Sequence, residues 1–147
     1  MAEIEIRRAT PAQAGALTAL VHASAAYRGR YASILDGYTI TPGYVGANPT
    51  FTATGDRLLG FYALLDAELD LLFVADEAQG LGIGARLIAH MLAEARRRGL
   101  ASVRVVSHPP ALPFYLRMGA RRTGTIPARP PKVRWERPEL RFDVPTG

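Results

Sequence analysis

Three glycines at alternate positions, Gly80, Gly82 and Gly84, stand in the stretch LDLLFVADEAQGLGIGA, Leu69 to Ala85. The stretch opens with an apolar run, Leu69 to Val74, broken only by Asp70. That run is short, carries Phe and Val, and ends at the acidic Ala75-Asp76-Glu77, so it reads as a buried strand. A segment of strong helical character follows Gly84 at once. A strand, a glycine-rich turn and a helix N-terminus together form an anion site. The glycines let backbone approach the ligand, while unpaired N–H groups and the positive end of the helix dipole point at it. A pyrophosphate is the anion such a cradle suits. Beside it, Glu68 and Asp70 share one face of the strand by period two. As carboxylates they can take a proton, act through water, or simply hold a substrate.

The spacing of the turn separates the known cradles. A P-loop needs Lys-Ser/Thr after its last glycine, and here Ala85-Arg86 follows Gly84, which excludes it. Gly80-Leu81-Gly82-Ile83-Gly84-Ala85 fits the G-x-G-x-x-A dinucleotide fingerprint, but Ala101 to Ser107 lacks the ribose-binding acid that should follow. Gln79, Gly82 and Gly84 also match a Q/R-x-x-G-x-G/A element in register. A second segment, His108-Pro-Pro-Ala-Leu-Pro-Phe-Tyr-Leu-Arg-Met-Gly-Ala120, matches N-x-x-A-x-x-F-Y-x-x-x-G-F at Ala111, Phe114, Tyr115 and Gly119. It departs from that pattern at His108, where Asn is common, and at Ala120, where an aromatic is common. In these two motifs, their order and their distance, residues 50 to 126 resemble the GCN5-related N-acetyltransferase (GNAT) family. The first fifty residues resemble it only in outline.

The resemblance implies one α/β (α+β) domain over residues 1–147, with a mixed, largely antiparallel sheet of about seven strands flanked by helices. It implies acetyl-CoA as cofactor and direct transfer of its acetyl group to a primary amine of a small molecule or peptide. The residues it places on the cofactor are Leu72, Phe73 and Val74 of the strand and Gln79, Gly80, Leu81, Gly82, Ile83, Gly84, Ala85 and Arg86 of the cradle. The acyl oxygen is expected at a backbone N–H near Phe73 or Val74. Tyr115 stands where the family usually places its general acid, and a phenol is close enough to a thiol in pKa to serve. Asp70 or Glu68 is the candidate base. The segment after the first helix, with Tyr27, Arg28, Arg30, Tyr31 and Tyr38, is expected to meet the acceptor and to favour one with an acidic or aromatic portion. Dimers are common among the resembling proteins. The rival readings are a non-catalytic acyl-CoA-binding domain, which would have no use for Tyr115, and a basic nucleic-acid module, for which only Trp135 offers an aromatic among arginines.

The remaining chain must position these groups. At 147 residues it suits one domain with a real core, and 48% hydrophobic with 21% charged residues is ordinary for a globular protein. A net charge of +5 suits an anionic ligand. There is no cysteine, which excludes disulfides, thiolate metal sites and a cysteine nucleophile. Met1-Ala-Glu-Ile-Glu-Ile-Arg-Arg lacks the apolar core of a signal peptide and no run approaches a membrane span, so a cytoplasmic protein is expected. Ile4 to Arg7 alternates as a first strand. Thr10-Pro11-Ala12-Gln13 starts a helix expected to reach about Ala26. Thr41-Pro42-Gly43 and Asn48-Pro49 read as breaks. Phe51–Ala53, Leu58–Leu65 and Glu68–Val74 form a meander turned at Gly55-Asp56 and Asp66-Ala67. Ile83, Leu87, Ile88, Met91, Leu92 and Ala95 recur at helical spacing, ending at Arg96-Arg97-Arg98-Gly99. Ala101–Ser107 is a strand, Leu112–Met118 a short helix, and Arg121–Ile126 and Leu140–Val144 close the sheet. Pro127 to Pro138 is expected as a solvated loop.

Overall fold

The structure, a computed structural model, describes residues 3–27, 29–131 and 133–146. The chain runs through β1 (Glu5–Arg8), α1 (Ala14–Ala23), α2 (Pro42–Ala47), β2 (Thr50–Thr54), β3 (Leu58–Leu65) and β4 (Glu68–Val74). It continues through α3 (Ile83–Arg97), β5 (Ser102–Val106), α4 (Leu112–Arg117), β6 (Arg121–Ile126) and β7 (Arg137–Asp143). The strands make one seven-stranded sheet in the order β1-β2-β3-β4-β5-β7-β6. Every neighbouring pair is antiparallel except β4 and β5. The mixed, largely antiparallel sheet with flanking helices is the expected fold.

Two apolar layers cover the sheet. On one face the stripe of α3, with Ile83, Leu87, Ile88, Met91 and Ala95, packs with Tyr115, Leu140 and Phe142. On the other, Ala14, Leu17 and Val21 of α1 and Val45 of α2 pack on Phe61 and Phe73. The 3.6-residue period of α3 is what turns these side chains to one side. Among the described residues no helix is long and apolar enough to cross a membrane.

β4 serves both layers through a break in its alternation. Ala63 pairs with Leu71 and Leu64 with Leu69, which leaves Asp70 as an extra residue in the ladder. Such a bulge flips the faces that follow it. Leu69 therefore joins the α3 layer together with Leu72 and Val74, while Leu71 and Phe73 join the α1 layer.

Four expectations need correction. The first helix ends at Ala23, and the chain continues as short 3-10 turns over Ala25–Tyr27 and Gly29–Leu35. Thr41-Pro42-Gly43 is a helix start, because the Thr41 hydroxyl accepts the Tyr44 N–H at 3.0 Å and Pro42 occupies the first turn, where no donor is needed. The last strand begins at Arg137, since Pro138 lacks an N–H but its carbonyl accepts from Ser107 N–H at 3.0 Å. The preceding loop is not wholly solvated: Val133 and Trp135 are buried. The triple arginine does sit at the end of α3, where Arg97 and Arg98 both donate to the buried Glu94 carboxylate.

The position of β4 depends on Gly60 of β3, which pairs with Val74. A Cβ there would lie 2.8 Å from the Phe73 carbonyl oxygen and 3.3 Å from Val74 Cα, both main-chain atoms that cannot swing aside. Gly60→Ala should therefore lower stability by about 1–3 kcal/mol. The check is the denaturant midpoint at unchanged m-value, and an unaltered midpoint would show that β4 yields freely.

Candidate functional site

β4 and β5 run parallel but share a single register pair, Glu68 with Arg104, held by a bond from Arg104 N–H to the Ala67 carbonyl at 2.9 Å. Beyond it the strands part. A cavity of about 660 Å³ opens there, walled by Leu71–Val74 of β4, the head of α3, the end of β5 and Tyr115 of α4.

The edge that β4 shows to this cavity follows from its ladder with β3. Ala75 N–H donates to the directly opposed Leu59 carbonyl at 2.8 Å. Residues facing their partner alternate in an antiparallel pair, so Phe73 also turns its N–H and C=O to β3, whereas Leu72 and Val74 turn theirs toward β5. Of Phe73 and Val74, only Val74 turns its N–H toward the opening. Phe73 contributes its ring instead, stacked on Phe61 at 5.9 Å.

The cradle takes the form that its glycines suggested. Gly80 and Gly82 have φ of +85° and +75°, a left-handed conformation that costs other residues dearly. Gly82 is the N-cap of α3, and no side chain caps that end. The N–H groups of the first turn, Ile83, Gly84 and Ala85, have no acceptor within the helix. Gln79 bridges the turn back to the Val74 carbonyl at 3.2 Å. Gly84 has a different reason: a Cβ there would meet the Phe114 ring at 3.0 Å, so it lets α4 close on α3. Two cofactor candidates lie off the cavity wall. Leu81 is exposed, and the Arg86 guanidinium turns to the Ile4 carbonyl at 3.0 Å. The acids of the turn face elsewhere, Asp76 accepting from Ala25 N–H at 3.1 Å and Glu77 pairing with Arg57 at 3.4 Å.

Tyr115 borders the same cavity, buried against Phe114 and Phe142. Burial, with the nearby Tyr27 adding to it, raises its phenol above the ordinary tyrosine range, so it keeps its proton. The two candidate bases both line the cavity but are not equivalent. Glu68 is committed to Arg104, 2.7 Å away, whose Nε also bonds Glu139 at 2.5 Å. Asp70, pushed out by the bulge, accepts only the Tyr44 hydroxyl among the described residues, at 2.6 Å. Burial raises the Tyr44 phenol far above its usual range, and the bond to Asp70 adds to that.

Of the segment expected to meet the acceptor, Tyr27 and Tyr38 line the cavity and Tyr31 does not. Tyr27 stacks on His108 with ring centroids 4.3 Å apart and leans on Phe73 at 5.5 Å. Tyr31 meets His108 and Trp135 edge-on, at 5.7 and 4.8 Å. Arg28 lies outside the described residues, and so does the side chain of Arg30. Sequence reasoning missed Tyr44, Arg104 and Arg137. A proline one residue after a threonine could have found Tyr44, by marking the capped helix that carries it. Nothing in the local sequence marks the other two.

A sequence profile of the acetyltransferase (GNAT) domain family matches residues 45–128, which hold β4, the cradle, α3 and α4. No curated protein matches the sequence. The GCN5-related N-acetyltransferase from Rhodopseudomonas palustris shares the fold with a TM-score of 0.81 at 19% identity, over 98% of both chains. YncA from Salmonella typhimurium, solved with its cofactor acetyl-CoA, gives 0.78 at 18% identity, over 99% of this chain and 96% of its own. The ribosomal-protein-S18-alanine N-acetyltransferase from Escherichia coli gives 0.72 at 15%, again over 99% and 96%.

The charge on Asp70 has a spectroscopic consequence. Burial, the larger cause, and Asp70 together raise Tyr38 from 10.0 to about 12. Asp70→Asn removes the charge and leaves the burial. Tyr38 should then titrate between those values, read as tyrosinate absorbance against a Tyr38→Phe reference. A titration unmoved by the substitution would place Asp70 out of reach of the ring.

Proposed function

The chain belongs to the GNAT acetyltransferase family, and from that membership we propose that it moves an acetyl group from acetyl-CoA directly to a primary amine of a small molecule or peptide. One observation carries the reading: a single cavity joins the uncapped head of α3, the unpaired edge of β4 and the Tyr115 hydroxyl-bearing ring. The residues fit the cofactor. A Cβ at Gly80 or Gly82 would meet no protein atom within 4 Å, so the main chain there is bare toward the cavity mouth and a ligand can reach its N–H groups.

When bound, acetyl-CoA supplies an activated acetyl thioester. Backbone N–H groups at the head of α3 would hold its pyrophosphate, and the N–H and C=O of Leu72 with the N–H of Val74 would offer an extended edge for the rest of the molecule. The Val74 N–H, turned toward the opening, would donate to the acyl oxygen, where a donor fixed in a dry site stabilises developing charge. Tyr115 holds a proton at Oη for the departing sulfur. Burial, with Tyr27 adding to it, keeps that phenol protonated until the sulfur charges. Asp70 is the carboxylate left to draw a proton from the acceptor amine, since Glu68 is held by Arg104. Tyr44 fixes the Asp70 carboxyl through one oxygen and leaves the other open.

Two measurements test this. Acetyl-CoA at about 100 times its Kd should stabilise the protein by about 2.7 kcal/mol. Gly82→Val should stay folded by circular dichroism and lose that response, because its side chain would enter the space left for the ligand. A response to NADPH in place of CoA compounds would refute the cofactor. Tyr115→Phe should keep acetyl-CoA affinity and lower kcat roughly 10²-fold. In the wild type, with the phenol raised, no alkaline fall in kcat from Tyr115 should begin near pH 10. A variant with undiminished thiol release would return Tyr115 to the core. Acetyl-CoA binding without thiol release to any amine would favour a non-catalytic binding domain.

A further inference from the structure

On β7, Leu140 and Phe142 point into the α3 layer, so Arg137 and Glu139 emerge on the opposite face, with Glu68 and Arg104. The cations of this face are not alike. Arg104 is satisfied by two carboxylates, Glu68 and Glu139, and Arg141 bonds Ser102 at 3.3 Å. Arg137 borders the cavity, yet its Nε is cut off from solvent and has no hydrogen-bond partner. No carboxylate among the described residues forms an ion pair with it, and Glu139, two residues along the strand, is taken by Arg104 and Thr123. A guanidinium drawn into a cavity wall without an anion is an incomplete interaction.

The same cavity holds Asp70, whose only bond among the described residues is to a neutral phenol. Its walls also carry aromatic rings, those of Tyr27, Tyr38, Phe73 and His108. Besides Glu68, which Arg104 holds, and the exposed Arg117, the cavity thus offers one carboxylate, Asp70, one half-buried cation, Arg137, and largely apolar sides. Given the acetyl transfer proposed above, on which this step rests, we infer that the acceptor carries a carboxylate as well as its amine, and that Arg137 binds the carboxylate while Asp70 faces the amine. An amino acid with an apolar body has this chemistry. The planar fork of an arginine matches a carboxylate in two bonds, which a lysine cannot reproduce.

The test uses the full chain, acetyl-CoA and a panel of amino acids, each beside the amine it becomes on losing its carboxylate, such as phenylalanine and phenethylamine. The accepted substrates should be carboxylated, with kcat/KM exceeding that of the matched amine roughly tenfold or more. Arg137→Gln should erase that preference by raising the acceptor KM, leaving both the matched amine and the KM for acetyl-CoA unchanged. Arg137→Lys should recover part of it. A preference for uncharged amines, an equal loss on both members of a pair, or a raised KM for acetyl-CoA would overturn the assignment. If no member is acetylated, the transfer reading itself fails. The anion site is then judged by binding: 3-phenylpropionate should raise the Tm of the acetyl-CoA-loaded wild type and not of Arg137→Gln. Absence of that rise overturns it.

Discussion

The site depends on a parallel pair of strands that stops almost as soon as it starts. Parallel neighbours in a sheet ordinarily continue their ladder, because an unpaired backbone group shut off from water costs about 1–3 kcal/mol. Here β4 and β5 keep one pair, Glu68 with Arg104, and then diverge. The price of the opening is a row of β4 donors and acceptors, at Leu72 and Val74, without a protein partner across the gap. The Val74 carbonyl takes the Gln79 amide at 3.2 Å, and the other groups stand open to solvent or to an extended ligand running along the strand. The Arg104 cluster acts as the pin at the closed end, since Glu68, Arg104 and Glu139 come from three different strands, β4, β5 and β7.

The bulge at Asp70 makes this opening compatible with a packed core. Without it, Leu69, Leu71 and Phe73 would share a face, and Asp70 would point into the α3 layer beside Leu72 and Val74. With it, each side of β4 is apolar where a helix covers it, and the displaced Asp70 lines the cavity. One extra residue thus settles both the packing of β4 and the place of its carboxylate. It also explains why two carboxylates spaced by two along the chain have different surroundings. Glu68 lies in the regular ladder next to the pin, while Asp70 sits at the irregularity, within reach of Tyr44 on α2.

How much of this was legible in the sequence depends on how far each interaction reaches along the chain. The cradle was legible because its causes are local: glycines that allow positive φ, followed directly by a helical stripe. Helix α3 was legible for the same reason, through the spacing of Ile83, Leu87, Ile88 and Met91. Short signals that support two readings misled, as at Thr41-Pro42-Gly43, where a threonine cap and an N1 proline were taken as punctuation. What could not be read were pairings set by topology. Glu68 and Arg104 are 36 residues apart, and Tyr44 and Asp70 are 26 apart. Trp135 looked like part of a solvated arginine-rich loop, yet it lies edge-on to Tyr31, over a hundred residues earlier, because β7 returns beside β5.

The net charge of +5 pointed to an anionic ligand, but the arginines of α3 face away from the cradle. Arg86 is turned to a β1-proximal carbonyl, and Arg97 and Arg98 neutralise Glu94 at the far end of α3. The cradle is left to backbone N–H groups, which bind an anion without bringing a counter-charge near the reacting centre. That separation matters for Tyr115. A guanidinium beside the phenol would favour the tyrosinate and lower its pKa, whereas the surroundings of Tyr115 are aromatic and apolar and raise it. Burial therefore keeps Tyr115 protonated, as the donor role proposed for it requires. In the proposed reaction, anion binding and proton donation would share one cavity because the first falls to main chain at the head of a helix and the second to a side chain in the core.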